Sequence, residues 1–344
     1  MSEIFQQPLD KSEIVITPGF EEAEGYAPLP LRNLIPGWDV PFGVYLKIKK
    51  KERMKPHFVK CCDRGEVFQE DWYLKLRELE IPCVYISLEE MERVLQYLHH
   101  NLEITLVDDK QSDLEKGLRV CDATHIWIFN FFNTQESRTG EQVKLGMQFL
   151  DTLFDLVKSD RHNILYLMEI RRHSFRLYTH CLNVCLLGLA FTRYLGWNGD
   201  KVRGFGLGAL VHDIGLIRTS RGILEKKGSL SEDEMSRVKR HPLEGFRMVQ
   251  VFAHLRWEAL QMVLQHHENG DGSGYPHGLK IAAIHPWARI MRILDSYEAM
   301  TAERPWRAAM EPKDALWIMR NDWEKSKLFD SNYLKTFIGF LASR

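Results

Sequence analysis

Apolar positions in the first hundred residues alternate over short stretches and then switch to helical spacing, which predicts a small domain of mixed strands and helices. VYLKI (44–48), HFVKC (57–61) and PCVYISL (82–88) read as strands, and EDWYLKLRELE (70–80) and LEEMERVLQYLHHNL (88–102) as helices. Ahead of them Pro8, Pro18, Pro28, Pro30 and Pro36 punctuate a stretch with little periodicity, so residues 1 to 35 read as an irregular arm. From 112 to 158, Leu114, Leu118, Trp127, Phe131, Leu145, Met147, Leu150, Leu153 and Leu156 recur at helical spacing, with a polar interruption from Asn133 to Gly140. After Asp160 strand patterns vanish, and amphipathic segments separated by Gly, Pro and Ser predict an all-α bundle. The fold class expected is α+β overall. A small N-terminal α/β domain with its arm (1–110) is joined by a helical connector (111–158) to an all-α C-terminal bundle (159–344).

A chain of 344 residues is long enough for two separate cores. Its 46 Lys plus Arg against 47 Asp plus Glu remove the bulk attraction that draws proteins to nucleic acids or anionic membranes. The run Lys49-Lys50-Lys51 reads as a solvated turn. The start MSEIFQQPLDKSE has no basic region leading into an apolar one, and no later stretch is apolar enough to span a bilayer. A cytoplasmic protein with neither nucleic acid nor membrane as partner is expected. Cys61, Cys62, Cys83, Cys121, Cys181 and Cys185 lack paired CxxC spacing and read as reduced, mostly buried thiols.

Chemistry concentrates in the helical half. His180 stands in LYTHCLNVC, His212-Asp213 in ALVHDIG, His241 in VKRHPLEG, His266-His267 in QHHENGDGSGYP and Asp295 in RILDSYEAM. A single such His is usually a satisfied core or surface residue. Five separate segments that each set a His or Asp in an apolar helix, or at its Gly- or Pro-marked end, are costly to bury unpaired. Divalent ions remove that cost, since neutral imidazoles donate lone pairs and a carboxylate, here Asp213, can bridge two ions. Mixed His and Asp ligation without paired Cys suits iron, manganese or zinc at a catalytic centre with open positions. Two adjacent metals suit phosphoester hydrolysis. The Gly-rich stretch Asn269–Pro276 follows the His pair and is placed to shape the mouth of such a site.

YTHC, HDIG, LSEDEMSRVKRHP, HHENGDGSGYPHGL and ARIMRILDSYEAMTAERPWR occur in that order over residues 160–340. In them the chain resembles the HD-GYP family of the HD hydrolase superfamily. The resemblance implies a metal-dependent phosphodiesterase that hydrolyses cyclic di-GMP to pGpG or GMP in bacterial signalling, with two divalent ions, iron or manganese, as cofactors. It assigns His180, His212, Asp213 and Asp295 to one ion and Asp213, His241, His266 and His267 to the other, with Asp213 shared and catalytic. It further implies substrate contacts for Gly274, Tyr275, Arg304 and Arg307. The partners expected are cyclic di-GMP, a diguanylate cyclase or other signalling protein, and a second copy in a homodimer. Two departures stand out. The family's HDIGK is HDIGL here, with Leu216 where a lysine reaches phosphate, and Arg176 stands where members with a third metal carry a Glu. The second departure predicts a dinuclear centre. The first supports an alternative function, a catalytically weak domain that binds the dinucleotide or a protein partner.

Overall fold

The computed structural model describes residues 11–15, 25–49, 55–134, 139–159, 177–304 and 307–343. Arg176 lies outside them. The chain divides into two compact units, Met1–Ile126 and Trp127–Arg344.

In the first unit, β1 (Tyr26–Pro30), β2 (Val44–Ile48), β3 (His57–Cys62) and β4 (Cys83–Ser87) form one antiparallel sheet in the order β1-β4-β2-β3. Along β2 the alternation of the sequence becomes alternation of burial, with Val44, Leu46 and Ile48 inside and Tyr45 and Lys47 partly exposed. Helix α1 (Glu70–Glu78) links β3 to β4, and α2 (Met91–Val107) follows, burying Val94, Leu95 and Leu98. The arm expected to be irregular holds β1, with sequence YAPLP. Proline is tolerated there because β1 is an edge strand, bonded only to β4, where a missing N–H leaves no partner unpaired.

Helices α3 (Asp113–Asn133) and α4 (Gly140–Ser159) flank the expected polar interruption, and the boundary between the units falls within α3. The second unit continues with α5 (Leu177–Tyr194), α6 (Gly199–Val211), a 3-10 turn (Ile214–Arg218), α7 (Arg221–Leu224), α8 (Glu232–Val238), α9 (His241–Val249), α10 (Trp257–Gln265), α11 (Pro286–Thr301), α12 (Pro312–Ser326) and α13 (Ser331–Ala342). Helix α5 is buried all round from Thr179 to Thr192, as its nearly uniform apolar sequence requires, and packs against α4, α6, α11 and α13. Caps fix where other helices of the unit begin. Asn198 accepts from Lys201 N at α6, Ser231 and Glu234 form a reciprocal box at α8, and His285 accepts from Trp287 N at α11, whose first residue is Pro286. No described helix is long and apolar enough to cross a membrane.

Candidate metal centre

Three histidines occupy the same kind of place. His212 follows the last residue of α6, His266 follows the last residue of α10, and His241 comes just after α8. The last carbonyls of a helix have no partner within it. Each imidazole uses one of them: Nδ1 lies 2.8 Å from the carbonyl three residues back, Ala209 for His212, Val238 for His241 and Val263 for His266. A carbonyl can only accept, so Nδ1 carries the proton and, in the neutral ring, Nε2 presents a lone pair.

All three Nε2 atoms turn toward Asp213. His212 Nε2 is 3.4 Å from Oδ2, His241 Nε2 is 3.2 Å from Oδ1 and His266 Nε2 is 3.5 Å from Oδ1. Gly215 makes this approach possible, because a Cβ there would lie 2.0 Å from the His241 carbonyl oxygen. The turn after Asp213 thus packs directly on the backbone that carries His241.

The fourth imidazole arrives differently. On α5, His180 and Asn183 are three residues apart and share a face. On α11, Asp295 and Glu298 do the same. The two pairs meet. His180 Nε2 lies 3.1 Å from Asp295 Oδ1 and 3.7 Å from Asp213 Oδ2, while His180 Nδ1 bonds Glu298 Oε2. Asn183 donates to Glu298 Oε1 at 2.9 Å, and Arg304 donates to Glu298 Oε2 at 3.1 Å. Each oxygen of Asp213 therefore faces two imidazoles, His180 and His212 at Oδ2, His241 and His266 at Oδ1. His267 completes the wall, with Nδ1 4.0 Å from Asp295 Oδ2.

This donor set fits divalent metal. The ligand atoms of Asp213, His241, His266 and His267 lie within 4.8 Å of one another, as do those of His180, His212 and Asp213. His212 Nε2 is buried and makes no hydrogen bond, and His241 Nε2 faces His266 Nε2 at 3.0 Å with both Nδ1 atoms already committed. Lone pairs turned on one another in a buried site need a cation between them. Cys181 adjoins His212, but burial pushes its thiol up to about 11, far from the thiolate that ligation needs.

Burial resists charge on every group here, and the neighbours decide the outcome. At His180 burial is outweighed by Glu298 and Asp295, which raise it to about 10, and at His212 burial is outweighed by Asp213. Burial would raise the carboxyl of Asp213, yet His212, His241 and His266 hold it well below the usual range. Burial also dominates at His267 and, with His266 and His241 beside it, keeps that ring neutral.

The Gly-rich loop closes on this wall. Buried Glu268 accepts from His277 N at 2.7 Å and Leu279 N at 2.8 Å, anchoring the loop's exit. A Cβ on Gly274 would lie 2.3 Å from Asn269 N and 2.5 Å from the His267 carbonyl oxygen, an approach only glycine permits. Tyr275 N donates to that carbonyl at 3.1 Å, and its ring stacks on His267 at 4.8 Å with Lys239 over its π-face. Arg304 is only 11 % exposed and turned to Glu298, and Arg307 donates to the carbonyls of Ala299, Met300 and Ala308. Leu216 is half-buried in the 3-10 turn and Arg218 is exposed. Another cation, Arg292, lies beside the loop, donating to Asn269 Oδ1 and Ser296 Oγ.

The seven residues singled out as ligands are thus brought together. Glu298, Asn183 and Glu268 were not singled out. For the first two a signal existed: a polar residue three positions after a candidate ligand in an otherwise apolar helix shares that ligand's face.

Residues 168–332 match the model of the HD domain family. The cyclic di-GMP phosphodiesterase PA4108 of Pseudomonas aeruginosa is 28 % identical over 230 residues, 66 % of this chain and 54 % of the relative. The cyclic di-GMP phosphodiesterase response regulator RpfG of Xanthomonas campestris is 37 % identical over 144 residues, 40 % of this chain and 36 % of the relative. A 3'3'-cGAMP-specific phosphodiesterase of Vibrio cholerae is 36 % identical over 146 residues, 42 % of this chain and 33 % of the relative. The chain spans between a third and about half of these relatives' lengths. Among solved structures, an HDG"Y"P protein from Bdellovibrio bacteriovorus shares the fold with a TM-score of 0.66 at 20 % identity, covering 92 % of this chain and 99 % of that one. With the helix-borne His and Asp cluster built around Asp213, the family match makes residues 168–332 an HD domain, and the chain is similar to HD-GYP proteins.

Proposed function

We propose that the chain is a phosphodiesterase that hydrolyses cyclic di-GMP to pGpG or GMP. The observation that supports this reading is that each oxygen of Asp213 faces its own pair of imidazoles, an arrangement in which one carboxylate could be shared by two ions. Two divalent ions, iron or manganese, held by His180, His212, Asp213 and Asp295 on one side and Asp213, His241, His266 and His267 on the other, would supply an activated water and offset charge on the phosphoryl group. The chain's own residues do the positioning. Backbone carbonyls keep the Nδ1 protons of His212, His241 and His266 in place, and Tyr275 braces the ring of His267. Relatives named for cyclic di-GMP and for 3'3'-cGAMP support a cyclic dinucleotide as the substrate class. Such a ligand carries two phosphodiesters, and Lys239, over Tyr275, and Arg292, on Asn269, are cations beside the loop that borders His267.

The test is anaerobic incubation of iron- or manganese-loaded protein with cyclic di-GMP and, separately, 3'3'-cGAMP, following linear products, with Asp213→Ala as control. Linear pGpG or GMP from cyclic di-GMP, absent in the control, is the expected result. Binding of both dinucleotides without turnover would reject the enzyme reading. A second reading, a receptor that binds the dinucleotide and signals through a protein partner, is favoured by Leu216 and by the engagement of Arg304 and Arg307 with protein groups rather than an open pocket.

A further inference from the structure

His212, His241 and His266 each borrow a helix-end carbonyl to fix the ring. His180 has no such carbonyl to borrow. It lies within α5, where the carbonyl three residues back, that of Leu177, belongs to the helix's own hydrogen-bond ladder. Its Nδ1 bonds Glu298 instead, and Glu298 is in turn fully engaged: Asn183 on Oε1, Arg304 and His180 on Oε2, at 3 % exposure. The same arginine lies 3.3 Å from His180 Nδ1.

We propose that Glu298, clamped by Asn183 and Arg304, is the positioning residue for His180, and that the ion position on the Oδ2 side of Asp213 depends on it while the Oδ1 side does not. The proposal rests on the two-ion reading above. Its physical basis is that a ligating imidazole needs its far nitrogen held by an acceptor, which fixes both the tautomer and the ring plane. A carboxylate in that place also raises the donor strength of the ligating nitrogen. Asn183 and Arg304 then act through Glu298 on the metal site: Asn183 holds Oε1, Arg304 shares Oε2 with His180, and together they fix the direction in which Oε2 meets His180 while Arg304 balances part of the buried negative charge.

The experiment measures manganese bound per chain by elemental analysis after equilibrium dialysis against graded Mn(II), for wild type, Glu298→Ala and Glu298→Gln, with folding followed by circular dichroism. Wild type should bind two ions. Glu298→Ala should keep one ion at wild-type affinity and weaken the other by roughly 10- to 100-fold. Glu298→Gln, which keeps the length and one acceptor but turns an amide toward Arg304 or His180, should weaken the same ion by a smaller factor. Equal weakening of both ions, or two ions at wild-type affinity in Glu298→Ala, would overturn the proposal. If Glu298→Ala does not fold, the isosteric Gln variant decides on the same criteria. Loss of fold in both would make Glu298 a structural carboxylate and also overturn it. A wild-type protein that binds a single ion rejects the two-ion reading itself, a result separable from any behaviour of the variants.

Discussion

The two sides of Asp213 are built from the same ligand types yet hold their protons differently. On the Oδ2 side, burial opposes charge on His180 and His212, but acidic neighbours outweigh it and both imidazoles are raised, His180 to about 10. On the Oδ1 side burial prevails at His266 and His267, both lowered, because the groups pressed against them are largely other imidazoles. Without metal, the surroundings of His180 and His212 favour the protonated ring, balanced by Glu298, Asp295 and Asp213, while those of His266 and His267 favour the neutral one. Similar ligands can thus differ in readiness for a cation, according to whether carbonyls and imidazoles or carboxylates stand behind them.

The comparison breaks most completely at its hinge. In Asp213→Ala both sides lose their shared carboxylate, so bound metal should fall below one ion per chain and hydrolysis by about a thousandfold or more. Retention of one tightly bound ion would show that the two sides do not depend on a common bridge. Proton inventory sharpens the contrast further. Ligation requires neutral imidazoles, so filling the Oδ2 side should release protons from His180 and His212, while filling the Oδ1 side at His266 and His267 should release none. Raising the pH from 6 to 8 should therefore tighten one ion by roughly tenfold per pH unit for each proton released and leave the other nearly unchanged. Titration calorimetry in buffers of different ionisation heat reads both quantities, and equal proton release by the two ions would remove the distinction.

A third change concerns charge that neither side supplies. In Leu216→Lys the 3-10 turn directly after Asp213 gains a cation, and turnover of cyclic di-GMP should rise by about tenfold to a hundredfold. An unchanged rate would mean that another cation, such as Arg292 or Lys239, already meets the phosphate.

Much of this is legible in the sequence. The break between α3 and α4 falls on the polar stretch from Asn133 to Gly140, and β2 matches its expected bounds of 44 to 48, because both depend on local pattern. The seven residues that gather at Asp213 could be named because His and Asp inside apolar helices are costly without a partner. β1 was hidden by its prolines, since whether a proline-bearing segment pairs depends on the edge it finds elsewhere in the chain. Glu298 and Asn183 left only a spacing signal, three positions after Asp295 and His180, because their role exists only where α5 and α11 face each other, across 115 residues of sequence. The directions of Arg304 and Arg307 were equally out of reach, because a long flexible side chain goes where buried acceptors are, here Glu298 and the carbonyls at the end of α11.

The smallest expected effect is a stability slope, and its sign follows from His180. Its value is raised from the ordinary 6.5 to about 10, so protonation stabilises the metal-free fold. That stabilisation is fully present below pH 6.5 and is lost as pH rises through 10. Chelated protein should therefore melt at progressively lower temperature between pH 7 and pH 10, by roughly 5 °C across the range for a domain of this size. The lowered carboxyls of Asp213, Asp295 and Glu298 act in the opposite sense, contributing stability above the ordinary carboxylate range and losing it as acid titrates them. Metal-loaded protein should lack the alkaline slope, because an imidazole that ligates has already given up its proton. Glu298→Gln should flatten the slope in the chelated form, since the group that outweighs burial at His180 would be uncharged. A chelated wild-type protein whose melting temperature stays level from pH 7 to 10 would mean that the Oδ2 side does not store the proton, and the contrast between the two sides would reduce to geometry alone.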